Sequence, residues 1–154
     1  MAISIALGSD HAGFELKEKI KYWLEGNNFQ YKDFGCYSLE SVDYPDYGLL
    51  IAEAVAKKEY SDGIAICGSG IGICIVANKV PGIRAALCTS IEMAKTAKTH
   101  NNANVLCLGG RGTDHELALE IVKVWLLTPF SEEVRHQRRI DKISQIELRI
   151  KSEE

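Results

Sequence analysis

What this chain of 154 residues lacks narrows its class first. No apolar run approaches the roughly 20 residues that a helix needs to cross a bilayer, so no membrane role is expected. The opening "MAISIALGSDHAGF" has neither a basic n-region nor a cleavable apolar core, so no signal peptide is expected. The five cysteines include no CxxC pair and stand mostly inside apolar runs such as "LCLG" and "ALCTS". That suits reduced cytosolic thiols better than a disulfide framework or a zinc ribbon. No HExxH or comparable spacing suggests a metal. A strong excess of charge is missing too: the net charge of −3 gives no reason to expect nucleic acid as a partner. Basic residues collect only in "RHQRR" (135–139), which leaves room for a local anion site. No repeat, low-complexity tract or linker divides the chain. The expectation is therefore a cytoplasmic protein with a single domain over residues 1–154, of ordinary globular composition.

What is present is an alternation. "AISIALGS" (2–9), "FQYKDFG" (29–35), "GIAIC" (63–67), "IRAALC" (83–88) and "NVLCLGG" (104–110) read as strands, apolar enough to be covered on both faces. Between them lie helical patterns: "FELKEKIKYWLEGN" with Phe14, Leu16, Ile20, Trp23 and Leu24 near helical spacing, "YGLLIAEAVAKKE" after a polar loop through Tyr44-Pro45, "GICIVANKV", "SIEMAKTAKTH", and "DHELALEIVKVWLL" capped by Asp114. A last charged helix is expected to start at Ser131. Strands alternating with helices predict an α/β fold of three layers, α/β/α and Rossmann-like, on a five-stranded parallel sheet with an additional C-terminal helix. Such a helix often packs on a partner subunit.

Ligands of open α/β sheets bind beyond the carboxyl ends of the strands. There the chain places Ser9-Asp10-His11, then "CGSGIG" (67–72), then Gly109-Gly110-Arg111. The GxGxG spacing is not the GxGxxG of a dinucleotide fold, and no Lys-Ser/Thr follows to make a P-loop. Gly68, Gly70 and Gly72 suit either a tight strand-to-helix connection or a loop that brings bare N–H groups to an anion. Cys67 is either core filling or a thiol at a helix N-terminus, where its pKa would fall from about 8.5. Cys36, Cys74, Cys88 and Cys107 read as inert core. Asp10-His11 is either a helix cap or a pair of groups suited to a polyhydroxylated substrate. Arg135 and Arg139, four apart, form either a solvated basic face or a phosphate clamp. His115 and His136 read as surface residues.

Taken together, "GSDHAGFELK", "DYPDY", "CGSGIGICIVANKVPGIRAALC", "HNNANVLCLGGR" and "RHQRRIDKI" resemble the family of ribose-5-phosphate isomerase B and the galactose-6-phosphate isomerase subunits. The likeness runs from Ile5 to about Ile146. It implies an aldose–ketose isomerase of the pentose phosphate pathway, with a phosphorylated sugar as substrate and no metal or organic cofactor. It also implies a homodimer or dimer of dimers, with active sites where two subunits meet. By position, Cys67 corresponds to the base that moves a proton between two sugar carbons, and Ser69 to the hydroxyl that assists it. His100 corresponds to the ring-opening acid/base and Asp10 to a residue on the ring-oxygen side. The backbone of Gly68, Gly70, Ile71 and Gly72 resembles the hole for the enediolate. Asn101 would hold a substrate oxygen, while His11, Arg111, Arg135 and Arg139 would surround substrate oxygens and phosphate. One branch of the family uses a glutamate four residues past this serine as base. Ile73 stands there and cannot accept a proton, so the resemblance is to the cysteine branch. Three other readings stay open on sequence: an isomerase of a six-carbon sugar phosphate (allose or galactose 6-phosphate), a non-catalytic phosphate- or nucleotide-binding module, and a thiol-redox protein.

Overall fold

The computed structural model, which describes residues 2–153, turns the expected alternation into one parallel sheet. In chain order the elements are β1 (Ser4–Ser9), a 3₁₀ turn (His11–Gly13), α1 (Phe14–Gly26), β2 (Gln30–Asp33), α2 (Tyr44–Ala56) and β3 (Asp62–Cys67). There follow α3 (Ile71–Ala77), β4 (Ala85–Leu87), α4 (Ile91–Thr99), β5 (Val105–Gly109), α5 (His115–Leu127) and α6 (Val134–Ser152). The strand order is β2-β1-β3-β5-β4, and every neighbouring pair is parallel.

Side chains alternate across a strand, and that alternation sorts the helices into two layers. Ile5, Leu7, Ile64, Ile66, Leu106 and Leu108 point to one face, where α1, α4 and α5 bury Leu16, Ile20, Ala94, Ile121 and Trp125. Ala6, Ala65, Cys67, Val105 and Cys107 point to the other, against Ile51 and Val55 of α2 and Ile73 and Ala77 of α3. The three-layer α/β/α arrangement with an added C-terminal helix is thus as expected. α6, about 28 Å long at 1.5 Å per residue, stands apart, with only His136 and Ile140 buried. Among the described residues no helix is long and apolar enough to cross a membrane.

Several boundaries differ from the sequence-based expectation, each for a local reason. β2 is not apolar throughout; its residues alternate between exposed and half-buried because it lies at the sheet edge. α2 begins at Tyr44, so Pro45 lies in its first turn, where its missing N–H costs nothing, rather than in a preceding loop. α6 begins at Val134, not Ser131. Glu132 has φ 62, outside helical space, and Ser131 instead donates its Oγ to Thr99 O at 2.7 Å. That bond ties the start of α6 to the end of α4. Asp114 caps α5 as expected, accepting the Leu117 N–H at 3.2 Å.

Candidate active site

β1 and β3 lie side by side at the centre of the sheet, where the chain's crossovers diverge to opposite flanks. Such a switch point opens a crevice beyond the strands' carboxyl ends. The backbone joins the two loops there: Asp10 N–H donates to Ile66 O at 3.1 Å. Asp10, buried, accepts the Gly13 N–H on Oδ1 at 3.0 Å, the helix-cap contact that is one of its two readings from sequence. His11 accepts the Val42 N–H on Nδ1 at 3.1 Å, which in the neutral ring leaves the proton on Nε2.

Cys67, the last residue of β3, is 4% exposed. Its Sγ faces the α2/α3 layer but is not lost in hydrocarbon: the Gly70 N–H donates to it at 3.2 Å. This contact depends on a left-handed residue. Gly70 has φ 81, and a Cβ there would lie 2.6 Å from Leu87 Cδ1 and 2.8 Å from the carbonyl carbon of Leu108. Gly70→Ala is therefore expected to lose about 1–2 kcal/mol for the left-handed backbone alone, with more for the clash, and to lose catalytic turnover with it. A denaturant melt like the wild type's would contradict this reading of the loop.

The loop amides are already partly assigned. Gly70 N–H goes to Cys67 Sγ and Ile71 N–H to Ser69 Oγ at 3.1 Å. The amides of Gly68, Ser69 and Gly72 have no acceptor among the described residues. All three belong to the Gly68–Gly72 turn whose backbone is expected to form the hole, while the Gly70 and Ile71 amides are spent within the loop itself. The loop after β5 is locked onto this turn: Gly110 N–H donates to Cys67 O at 2.8 Å, and Arg111 and Gly112 N–H to Gly68 O at 3.0 and 3.2 Å. Arg111 is exposed, and its Cδ passes 4.0 Å from a Cβ placed on Gly68. Tyr44 was not singled out from sequence, although it lies in the quoted "DYPDY". Its ring stands against Gly72, with Cζ 2.6 Å from where a Cβ would be. A glycine is thus required at 72 for close approach of an aromatic ring.

The remaining candidates form a second cluster elsewhere. His100 and Asn101 lie between α4 and β5, so the chain enters β5 from its amino end just after them. Two residues before His100, Lys98 Nζ bonds Asp62 Oδ1 at 3.0 Å. Asp62 opens β3 and Cys67 closes it, a span of about 17 Å at 3.3 Å per residue. One chain therefore brings Asp10, His11, Cys67, Ser69 and Arg111 to one end of the sheet and His100 with Asn101 to the other. α6 joins the second group. The ring of His136 stacks on that of His100 with centroids 4.2 Å apart and planes 19° from parallel. Arg135 and Arg139 project from the same side of the helix, about 40° apart around the axis at 100° per residue.

His136 is not the surface residue expected from sequence; it is 4% exposed. Its Nε2 has no hydrogen-bond partner, since Glu133 Oε2, 3.0 Å away, is off the line that a ring N–H needs. Burial first, then the neighbouring charges of His100 and Arg135, holds His136 below the ordinary histidine range. His115 is half-buried, with Nε2 2.8 Å from Gly110 O and Nδ1 2.8 Å from Lys19 Nζ. Of the cysteines read as core, Cys36, Cys88 and Cys107 are buried, while Cys74 is only half-buried. The neighbouring Cys107 thiol, followed by the Leu87 N–H, draws Cys74 down to about 7, and the same contact pushes Cys107 up.

With this geometry in place, comparison with known proteins is decisive. A profile described as Ribose/Galactose Isomerase matches residues 5–143. The chain belongs to the ribose/galactose isomerase family. Ribose-5-phosphate isomerase B of Escherichia coli (strain K12) is 45% identical over 145 residues, covering 94% of this chain and 97% of that protein. Among solved structures, ribose-5-phosphate isomerase B of Clostridium thermocellum superposes with a TM-score of 0.94 at 49% identity, covering 96% of this chain and 99% of the other. That of Mycoplasma genitalium, with bound ribulose-5-phosphate, gives 0.90 at 43% identity, covering 96% and 97%. As a member of this family the chain is a sugar-phosphate isomerase.

Proposed function

We propose that the chain interconverts D-ribose 5-phosphate and D-ribulose 5-phosphate through an enediolate. The observation that carries this reading is the buried Cys67 Sγ facing the Gly70 N–H at 3.2 Å inside a glycine turn at the sheet's carboxyl end. A thiolate there takes the proton from C2 of the opened aldose and returns it to C1 on the same face. Negative charge meanwhile grows on the oxygens of C1 and C2. The amides of Gly68, Ser69 and Gly72 are placed to meet it, and losing one such donor typically costs about 3–4 kcal/mol. His100 opens the furanose by moving a proton to the ring oxygen, a task suited to an imidazole, which can both accept and donate a proton. Asp10 lies on the ring-oxygen side, Ser69 assists Cys67, and Asn101 and His11 hold sugar oxygens. Ile73, at the place where a glutamate base would stand, is fully buried, which supports assigning proton transfer to Cys67.

The two half-sites explain the expected dimer. Cys67 and His100 cannot meet within one chain, but a two-fold axis that apposes the Cys67 end of one copy to the His100 end of another completes two equal sites. The cytoplasmic homodimer, a single domain over residues 1–154, thus works as the unit of catalysis, without metal or organic cofactor. Arg135 and Arg139 travel with His100, and they join Arg111 of the other copy around the phosphate. Arg139→Ala is expected to raise KM for ribose 5-phosphate about tenfold with a smaller effect on kcat, the loss of a charge-assisted contact of about 1.5 kcal/mol or more. An unchanged KM would move the phosphate elsewhere.

Incubation with ribose 5-phosphate in heavy water tests the reaction itself. Deuterium at C1 of the ribulose 5-phosphate formed, seen by proton NMR, is the expected outcome. Formation of no ketose phosphate would overturn the proposal.

A further inference from the structure

The turn that carries His100 and Asn101 into β5 is gripped by a residue with no part in the chemistry above. Arg84, half-buried just before β4, donates Nε to Asn101 O at 3.0 Å and to Asn102 O at 3.2 Å, and Nη2 to Asn102 O at 2.7 Å. These carbonyls lie beyond the last turn of α4, where no helical N–H reaches them. A planar guanidinium is suited to both, because its donors are fixed in a fork; an ammonium is a single mobile point. The turn also contains Asn102 at φ 44, in the left-handed region that asparagine tolerates better than most residues with a side chain.

Arg84 is itself anchored. Its N–H donates to Asn104 Oδ1 at 2.8 Å, its carbonyl accepts the Asn104 N–H at 3.0 Å, and Asn104 Nδ2 reaches Gly82 O at 3.0 Å. The Gly82 N–H in turn meets both carboxylate oxygens of Glu147, on α6, at 3.1 and 3.0 Å. A continuous set of bonds thus runs from α6, which bears Arg135, Arg139 and His136, through Gly82 and Arg84 to the main chain of Asn101. Among the described residues no carboxylate forms an ion pair with Arg84, and the hydrogen bonds of its guanidinium go to the turn.

We infer that Arg84 is a positioning residue: by clamping the carbonyls of Asn101 and Asn102 it fixes where His100 presents its ring to the sugar. This rests on the ring-opening role given to His100 above. A misplacement of about 1 Å at a reacting group can cost on the order of 100-fold in rate, which sets the size of effect to look for.

The test compares wild type, Arg84→Gln, Arg84→Lys and His100→Ala in two reactions. One is isomerisation of ribose 5-phosphate, which begins with a closed ring. The other is exchange of the C1 proton of ribulose 5-phosphate with heavy water, which needs no ring opening because the C5 oxygen carries the phosphate. Arg84→Gln is expected to lower turnover in the first about 10- to 100-fold and to leave exchange near the wild-type rate, with Arg84→Lys between. Equal losses in both reactions overturn the inference in favour of a merely structural arginine. A second readout does not depend on substrate: in protein labelled with ¹³C-histidine, the ring resonances of His100 should move in Arg84→Gln while those of His115 stay. An unmoved His100 also overturns the inference. If His100→Ala itself fails to separate the two reactions, the ring-opening role falls, and the histidine resonances alone decide whether Arg84 sets the turn. Should Arg84→Gln fail to fold, Arg84→Lys, which keeps the charge and loses the fork, gives the same comparison.

Discussion

Cys67→Ser is expected to cut isomerisation by about 1,000-fold or more while the protein keeps its fold. The serine oxygen can still accept the Gly70 N–H that now points at Sγ at 3.2 Å, so the glycine turn retains its internal contact. What is lost is acidity: a hydroxyl does not ionise near neutral pH, whereas a thiol of ordinary pKa about 8.5 is already a few per cent thiolate. Removing a general base typically costs about 100- to 10,000-fold, and turnover should fall by at least the middle of that range. Cys67→Ala should lose as much activity and also some stability, because it leaves a buried N–H without its acceptor, at about 1–3 kcal/mol. The pair separates chemistry from packing. Steady-state assays beside denaturant melts give the answer, and a serine variant with near-normal turnover would remove Cys67 from the base position.

His100→Ala divides the reaction instead of stopping it. Ribose 5-phosphate is mostly a closed furanose, and opening it requires a proton at the ring oxygen. Ribulose 5-phosphate, phosphorylated at the only oxygen that could close a five-membered ring, is already open. The variant is therefore expected to lose about 100- to 1,000-fold on ribose 5-phosphate, yet to exchange the C1 proton of ribulose 5-phosphate at close to the wild-type rate. The loss is bounded, since the sugar ring also opens unaided in water and the enzyme can capture the free aldehyde. Equal loss on both substrates would mean that His100 acts on the enediolate or on binding rather than on the ring.

How far these assignments were legible in the sequence follows from the range of the forces involved. Short apolar strands, each stopped by glycine or serine, announce themselves locally, so the parallel sheet and the placement of Asp10, Cys67 and Arg111 beyond its carboxyl ends could be read directly. Strand order could not, because crossovers to either flank use the same local pattern; the β1/β3 switch point emerges only from pairing. The start of α6 was misplaced because Glu132 takes a left-handed conformation that its residue type does not advertise. His136 was misjudged for a different reason: a histidine in "RHQRR" looks solvated until α4 and α6 are joined through Thr99 and Ser131, which brings it under His100. Arg84 and Tyr44 carry no local signal either. Their importance lies in what they touch, Asn101 and Gly72, residues 17 and 28 positions away along the chain.

The separation of the two half-sites also makes sense of α6. A helix with Ile143, Ile146 and Ile150 exposed, and only two residues buried on its own body, contributes little to the stability of one chain. It does carry Arg135 and Arg139 out beside His100, where a second copy's Cys67 loop would complete the site. His136 and Ile140 anchor the first turns of the helix, and Arg135 and Arg139 project from those same turns.

The most direct measurement mixes two variants that are each strongly impaired on ribose 5-phosphate. Cys67→Ala and His100→Ala subunits, unfolded together in equal amounts and refolded, form hybrid dimers in half of cases. In each hybrid one site unites the intact Cys67 of one chain with the intact His100 of the other. Activity on ribose 5-phosphate should then return to about a quarter of the wild-type value, from pairing statistics in a two-fold dimer. A mixture no more active than the average of its two parents would contradict a site shared between subunits, and with it the account of how this isomerase is built.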